Sequence, residues 1–372
     1  MKILHLGQMI GGLDVYIRNS IVYNNAGNEY VIVHGDKDGS KPVSKGGKSV
    51  KEYTVSLYRN LNPFNDLKAL LQVIRIIRRE KPDIIHCHSA KGGVIGRVSG
   101  WLTLTRTLYT PHAFSFLCSP SKLKRRIYLL IERITRFNAY VLACSESEQK
   151  MAVELAKYAP SHALLWHNSV PDASLEKGEK VSVNEPYACY IGRPCYQKNT
   201  LFLLEVIKTL RDRGCNLKFL LLGVGYHSPE LEAMKAKISQ LGLENNITLV
   251  PWLSHADCQE YVRGSLFYVT TSLYEGLPLS VIEAMANGKV IIASDVVGNR
   301  DCVEDGVNGW LLPLDASVFA DRIIQLTADP ALRKAMEEKS RQLFLDRFFI
   351  EKQIEELQEA YEACSLVQKQ IE

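Results

Sequence analysis

Short β-branched runs recur along this chain, each followed by a helical-looking or polar stretch: "KILHL", "EYVIVHG", "DIIHCHS", "LYTPH", "AYVLACS" and "ALLWHNS". Strands alternating with helical patterns build a parallel sheet, because parallel neighbours need a crossover between them. After the polar stretch "SVPDASLEKGEKVSVNEP" the rhythm restarts with "YACYIGR", "LKFLLLGVG", "NITLVPW", "LFYVTTS" and "KVIIASD". The chain therefore reads as α/β, with two doubly wound domains and a boundary within residues 170–186. We expect a first domain over 1–169, a second over 170–350, and a terminal helix over 351–372 that packs back on the first. Ligands of open parallel sheets bind beyond the carboxyl ends of the strands, so two facing sheets predict a central cleft.

Composition closes off other classes. Apolar residues make up 46% and charged residues 23% of the 372 positions, with no repeat or low-complexity tract, so a folded protein is expected. A net charge of +4 with scattered aromatics gives no basic stripe, and no nucleic-acid partner is predicted. The nine cysteines contain no C-x-x-C pair, which argues for a reducing cytoplasm and against a disulfide frame or zinc site. The opening "MKILHLGQMIGG" reads as a first strand rather than a targeting peptide, and no run approaches the roughly 20 apolar residues that span a bilayer.

The stretch "TSLYEGLPLSVIEAMANG" places two glutamates, Glu275 and Glu283, in an otherwise apolar segment. Gly276 permits a tight turn, Pro278 suits a helix start, and Gly288 after Asn287 supplies a stop. A helix over Pro278 to Asn287 follows. At about 1.5 Å per residue, eight helical steps separate the two Cα atoms by roughly 12 Å. That spacing does not suit the pair of carboxylates about 5 to 5.5 Å apart that a retaining glycosidase uses. The helix start offers unpaired N–H groups around Leu279, Ser280 and Val281, and its dipole attracts phosphate. A ligand with a hydroxylated group at each glutamate and phosphate between them is a nucleotide sugar. The plainer reading, in which Glu283 salt-bridges and Glu275 favours the helix dipole, stands beside it.

The segment "YEGLPLSVIEAMANGKVIIASDVVGNRDCVEDGVNGWLLP" resembles the donor-site signature of retaining glycosyltransferases of family four. "YIGRPCYQKN" and "LLLGVGYHSPEL" continue the match, while "HCHSAKGGVIGR" and "YTPHAFSF" resemble the branch that builds bacterial surface polysaccharides. The resemblance implies the GT-B fold, two facing Rossmann-like domains. It also implies a nucleotide-diphosphate donor, with uridine diphosphate the commonest in the family, and a growing glycan or undecaprenyl-diphosphate-linked acceptor. Arg193 and Lys198 would neutralise the leaving diphosphate without a metal ion. Glu275 would hold a sugar hydroxyl, Glu283 the ribose, and His112 would lie beside the donor sugar. Gly223 and Gly276 would line the nucleotide pocket, and Gly12 the donor side of the first domain. Gly11 and Asp14 would face the acceptor. Neither a covalent glycosyl intermediate nor a same-face reaction is singled out. "WHNSVP" departs from the family's N-G-V turn in carrying Ser169.

Other motifs are weaker. "DKD" at Asp36 to Asp38 imitates a D-x-D metal motif, and the order of the other motifs makes it a coincidence. His86 and His88 share one face of a strand, but no third ligand stands beside them in sequence. Cys195 reads as a bystander thiol. Across 122–137 one arc carries Lys122, Arg125, Arg126, Arg133 and Arg136, and another Leu123, Ile127, Leu130, Ile131 and Ile134. Such a helix either rests on an anionic membrane from the cytoplasmic side or packs its apolar stripe on the core. A nucleotide-sugar epimerase of the same architecture and a non-catalytic nucleotide-sugar binder are the alternative functions.

Overall fold

Apolar runs such as "FLLL" and "YVLA" become strands buried on both faces, as all-parallel sheets require. The computed structural model describes residues 1–37, 41–58, 60, 62–179, 183, 185–225 and 228–366. Asp38 of the "DKD" motif and part of the polar stretch between the two rhythms lie outside the described residues. The chain forms two units, Met1–Ser169 with Ile350–Glu372, and Val170–Phe349.

The first unit holds β1 (Lys2–Met9), α1 (Gly12–Val22), β2 (Glu29–Lys37), β3 (Ser44–Lys45), β4 (Lys48–Ser49), β5 (Lys51–Thr54) and α2 (Pro63–Glu80). It continues through β6 (Ile84–His88), α3 (Ser89–Thr103), β7 (Arg106–Thr110), α4 (Lys122–Ile134), β8 (Tyr140–Ala143), α5 (Glu146–Glu154) and β9 (Ala163–Leu165). Its sheet runs β5-β2-β1-β6-β7-β8-β9, every pairing parallel, with β3 and β4 forming a separate hairpin. Alternation along β1 sends Leu4 and Leu6 into one core and Ile3 into the other. The second of these cores takes in Leu357, Ala360 and Tyr361 of the last helix.

The second unit holds β10 (Tyr187–Ile191), α6 (Thr200–Asp212), β11 (Lys218–Leu222), α7 (Leu231–Leu241), β12 (Ile247–Val250) and α8 (His255–Gly264). After these come β13 (Tyr268–Thr270), α9 (Leu279–Ala286), β14 (Ile291–Ser294), α10 (Asn299–Cys302), β15 (Gly309–Leu312), α11 (Ala316–Ala328) and α12 (Pro330–Arg347). Phe348 and Phe349 separate α12 from α13 (Ile350–Leu366), which belongs to the first unit. The second sheet runs β12-β11-β10-β13-β14-β15, again all parallel.

Both sheets reverse direction of strand order at one place, between β1 and β6 in the first and between β10 and β13 in the second. The loops leaving such neighbours diverge to opposite faces and open a crevice at the carboxyl edge. The edge strands β5 and β15 were not among the runs read from sequence; β5 is "KEYT", half charged and partly exposed.

Candidate active site

In the second unit the crevice between β10 and β13 gathers charged and polar side chains at one edge. β10 ends at Ile191, and Gly192, Arg193 and a short turn over Tyr196–Lys198 follow. β13 ends at Thr270, and the chain reaches Glu275 five residues on. These loops meet. Lys198 Nζ donates to Glu275 Oε1 at 2.7 Å, Ser272 Oγ donates to the same oxygen at 2.7 Å, and Gln197 Nε2 donates to Oε2 at 3.1 Å. Glu275 is buried, so its charge needs these partners. The sequence reading names Lys198 and Glu275 separately; the structure joins them in one ion pair.

The turn around Glu275 is backed by Gly298, which sequence reasoning missed. Its φ is +85°, and a Cβ there would lie 2.7 Å from the Gly276 carbonyl oxygen and 2.8 Å from Glu275 Cβ. Only glycine fits so close beneath the turn. Gly223, at the end of β11 with φ +80°, stands beside the β10 loop, where Gly192 N–H donates to Leu222 O at 3.0 Å. Arg193 is half-buried in that loop.

The helix after Glu275 starts one residue later than sequence predicts: Pro278 is its N-cap and Leu279 its first residue, and no side chain caps it. Among the described residues the N–H groups of Leu279 and Ser280 have no acceptor, so they remain available to an anion. Val281 does not share this role, because its N–H donates to Pro278 O at 3.1 Å.

Glu283 lies on α9 and is buried. Its Oε1 is 3.0 Å from His255 Nε2, and Gln259 Nε2 donates to its Oε2 at 3.3 Å. His255 Nδ1 is 2.8 Å from Glu176 Oε2. Burial opposes the charge on His255, but the hydrogen bonds to Glu176 and Glu283 outweigh it and lift its pKa to about 10. His255, Gln259 and Glu176 carry no signal in sequence, since they come from α8 and the stretch before β10. The two glutamates thus hold different partners.

In the first unit Gly11, with φ +57°, caps α1 and has open space where a Cβ would stand; Gly12 opens the helix. Asp14 Oδ2 accepts from Arg18 Nε at 2.7 Å, while its Oδ1 is buried without a partner among the described residues. His112 follows β7 in the left-handed region with φ +53°, and Ala113 follows at +77°. Two such residues in succession store strain of the kind found at functional sites. They are pinned by Glu148, whose Oε1 accepts from Ala113 N–H and Oε2 from Cys144 N–H, each at 2.9 Å. Tyr16 of α1 packs edge-on against His112, ring centroids 4.6 Å apart.

His112 is also the end of a cluster. The sequence reading finds no third ligand beside His86 and His88, because the third comes from another strand: His5 on β1 pairs in register with His86 on β6. One nitrogen from each of His5, His86 and His88 lies within 4.8 Å of the others. Most of their nitrogens make hydrogen bonds, and His5 Nε2 is left without a partner among the described residues. His86 meets Tyr361 Oη at 3.0 Å and Thr110 Oγ1 at 2.9 Å, and His5 Nδ1 meets His88 Nε2 at 3.0 Å. Burial pulls His5 and His112 down to about 3, and burial with the neighbouring rings holds His86 and His88 well below the usual range, so all four are neutral near pH 7.

The helix foreseen over 122–137 is α4, Lys122–Ile134, and its apolar stripe does not pack on the core. Leu123, Ile127, Leu130 and Ile134 are 68%, 47%, 57% and 61% exposed, while Tyr128 and Leu129 pack inward and Glu132 is buried. Glu132 Oε2 accepts from Arg97 Nη2 at 2.9 Å, both side chains shut off from solvent. Among the described residues no helix is long and apolar enough to cross a membrane.

The family described as Glycosyltransferase Family 4 matches residues 10–174, and that described as Glycosyl transferases group 1 matches residues 173–343. Together they run through both units in order. The chain belongs to glycosyltransferase family 4. A family 4 member is a glycosyltransferase with a nucleotide-sugar donor, and the two parallel sheets are those of the GT-B fold. An Escherichia coli relative, UDP-Gal:alpha-D-GlcNAc-diphosphoundecaprenol alpha-1,3-galactosyltransferase, is 26% identical over 329 residues, 84% of each chain. The capsular polysaccharide biosynthesis glycosyltransferase CapM of Staphylococcus aureus is 26% identical over 340 residues, 86% of this chain and 88% of CapM. The crystal structure of Anabaena Alr3699/HepE in complex with UDP and glucose shares the fold, with a TM-score of 0.78 at 18% identity, over 97% of this chain and 99% of that one.

Proposed function

We propose that this protein is a retaining, metal-independent glycosyltransferase that moves a sugar from a uridine diphosphate donor to a lipid-diphosphate-linked intermediate of a bacterial surface polysaccharide. The observation that carries the reading is the Lys198–Glu275 ion pair at the switch point of the second sheet, beside the uncapped start of α9. As the glycosidic bond to the donor breaks, negative charge gathers on the diphosphate. Lys198, Arg193 and the N–H groups of Leu279 and Ser280 meet that charge where a metal ion otherwise would. Glu275 orients Lys198 and accepts from a hydroxyl of the sugar; Glu283, held by His255, accepts from the ribose. Gly223 and Gly276 let the backbone approach the nucleotide. In the first unit His112 serves the donor sugar, Gly12 gives a phosphate close access to the helix start, and Gly11 and Asp14 serve the acceptor.

Uridine diphosphate and the lipid-linked acceptor follow the E. coli relative and the HepE complex, and the surface-polysaccharide role follows CapM. The exposed apolar stripe of α4, flanked by Arg126 and Arg133, fits a surface that rests on anionic lipid from the cytoplasmic side, where such an acceptor would lie.

The test is incubation of the purified chain with a panel of uridine diphosphate sugars and a synthetic undecaprenyl-diphosphate sugar, with and without chelator. The expected product is the acceptor heavier by one sugar, formed equally in chelator. Isomerised donor with unchanged acceptor would favour an epimerase instead, and no thermal shift with any nucleoside diphosphate would remove the donor assignment.

A further inference from the structure

Three histidines of the first unit, His5, His88 and His112, form a hydrogen-bonded chain. His5 Nδ1 lies 3.0 Å from His88 Nε2 with the two rings within 3° of parallel and their centroids 5.3 Å apart, the geometry of rings bonded edge to edge. His88 Nδ1 in turn lies 3.2 Å from His112 Nε2, centroids 5.4 Å apart. At the far end His5 Nε2 is buried with no partner among the described residues. At the near end His112 is the one residue of the three that is not fully buried.

A neutral imidazole has one donor and one acceptor nitrogen, so a chain of three has only two consistent polarities. In one, His112 Nε2–H donates to His88, His88 Nε2–H donates to His5, and the proton of His5 is left on its Nε2, a buried N–H with no acceptor. In the other, His5 Nδ1–H donates to His88 Nε2 and His88 Nδ1–H donates to His112 Nε2. The unmatched group is then only a lone pair. Orphaned buried donors are the rarer and costlier fault.

We infer that the chain runs in this second sense, so that all three rings carry their proton on Nδ1, and that His5 and His88 are positioning residues which hold His112 as a hydrogen-bond donor from Nδ1 to an oxygen of the bound sugar. The strained backbone of His112 and Ala113, tied down by Glu148, fixes the ring's place, and the chain fixes its proton. The second half of the inference rests on the reading of His112 as a residue that serves the donor sugar; the first half does not.

Two-bond proton–nitrogen correlation spectra of the whole protein, with its histidine rings labelled with nitrogen-15, decide the polarity at neutral pH. A protonated Nδ1 and bare Nε2 on His5, His88 and His112 is expected. A protonated Nε2 on His112 would overturn the inference, as would loss of these hydrogen bonds to zinc(II) coordination by His5, His86 and His88 on titration with the metal. Cutting the chain with His88→Leu should leave His112 in a mixture of tautomers and lower kcat by about tenfold, the worth of one hydrogen bond, with little change in donor KM. In the gentler His5→Gln variant the amide N–H can still donate to His88 Nε2, and the Nδ1–H form of His112 should persist. An unchanged His112 spectrum in a folded His88→Leu protein would remove the positioning role. If His112→Ala transferred sugar as the parent does, the assignment of His112 to the sugar would fall, while the spectra would still report the polarity.

Discussion

Lys198 and Glu275 are 77 residues apart in sequence and 2.7 Å apart in the structure, joined across two loops that leave adjacent parallel strands. With side chains only 19% and 8% exposed, the pair is shielded enough for its charges to matter to a bound diphosphate. Lys198→Ala should lower kcat by about 10²–10³-fold, the usual loss when one donor to a developing anion is removed. Glu275→Gln keeps an acceptor for Lys198 but loses the charge, and a milder loss is expected. Because each residue orients the other, the double variant should lose less than the product of the two single effects. Strictly multiplicative losses in a steady-state transfer assay would separate the two residues into independent roles.

Gly298 has no contact with a ligand in this scheme, yet Gly298→Ala should impair donor binding. A methyl group at φ +85° meets the Gly276 carbonyl and the Glu275 side chain, so the turn must move. The strain costs about 1–3 kcal/mol of stability, and most of the damage falls on the displaced carboxylate. Calorimetric titration with a nucleotide sugar should give a raised Kd in a protein that still melts cooperatively. Unchanged affinity would mean that the turn relaxes freely.

The parts of the fold that sequence made legible are the buried ones. Runs such as "YVLA" and "FLLL" have no polar face to obscure them. The edge strand β5 escaped because an edge needs only one neighbour and tolerates charge. The same limit applies to the site. Local chemistry around Glu275 and Glu283 could be read from turns and helix spacing, but His255 beside Glu283, Gly298 beneath Glu275 and His5 beside His86 depend on which distant strands and helices become neighbours. No spacing rule in a single chain encodes that. The apolar stripe of α4 was likewise readable as a stripe, while the side on which it lies was decided by Glu132, whose buried pairing with Arg97 turns the opposite face inward.

That buried pair leads to a prediction about stability. Glu132 also accepts from Tyr109 Oη at 3.2 Å and Ser115 Oγ at 3.3 Å, so its removal strands several donors and a guanidinium at once. Glu132→Ala should cost about 3–5 kcal/mol, because it leaves an uncompensated buried charge. Arg97→Met combined with Glu132→Leu should recover much of this loss. Urea unfolding of the three proteins compares them directly, and a double variant no more stable than Glu132→Ala would contradict the argument.

His255 makes stability depend on pH. Its folded pKa of about 10 lies above its ordinary value of 6.5, so the protonated ring binds Glu176 and Glu283 more favourably folded than unfolded. This contribution is fully present below pH 6.5 and is lost as pH rises through 10. The parent should therefore lose Tm between these limits, and His255→Gln should lose less over the same window. Parallel melting curves for the two proteins would show the imidazole to be a bystander.

On membranes the α4 face should separate two forces. The four exposed apolar side chains bury area at any bilayer surface, whereas the basic arc acts only on anionic lipid. Each basic residue near such a surface contributes about 1 kcal/mol, so removing two positive charges lowers partitioning by about 30-fold, and reversing them lowers it further. Vesicle sedimentation should thus show Arg125→Glu with Arg126→Glu weakening binding to phosphatidylglycerol-rich vesicles and sparing what little binding neutral vesicles give. Ile127→Asp with Leu130→Asp should weaken both. Because Arg97 and Glu132 hold α4 from its buried side, neither pair of changes should unfold the protein. If the parent and both variants sedimented alike with anionic vesicles, α4 would not be the docking face.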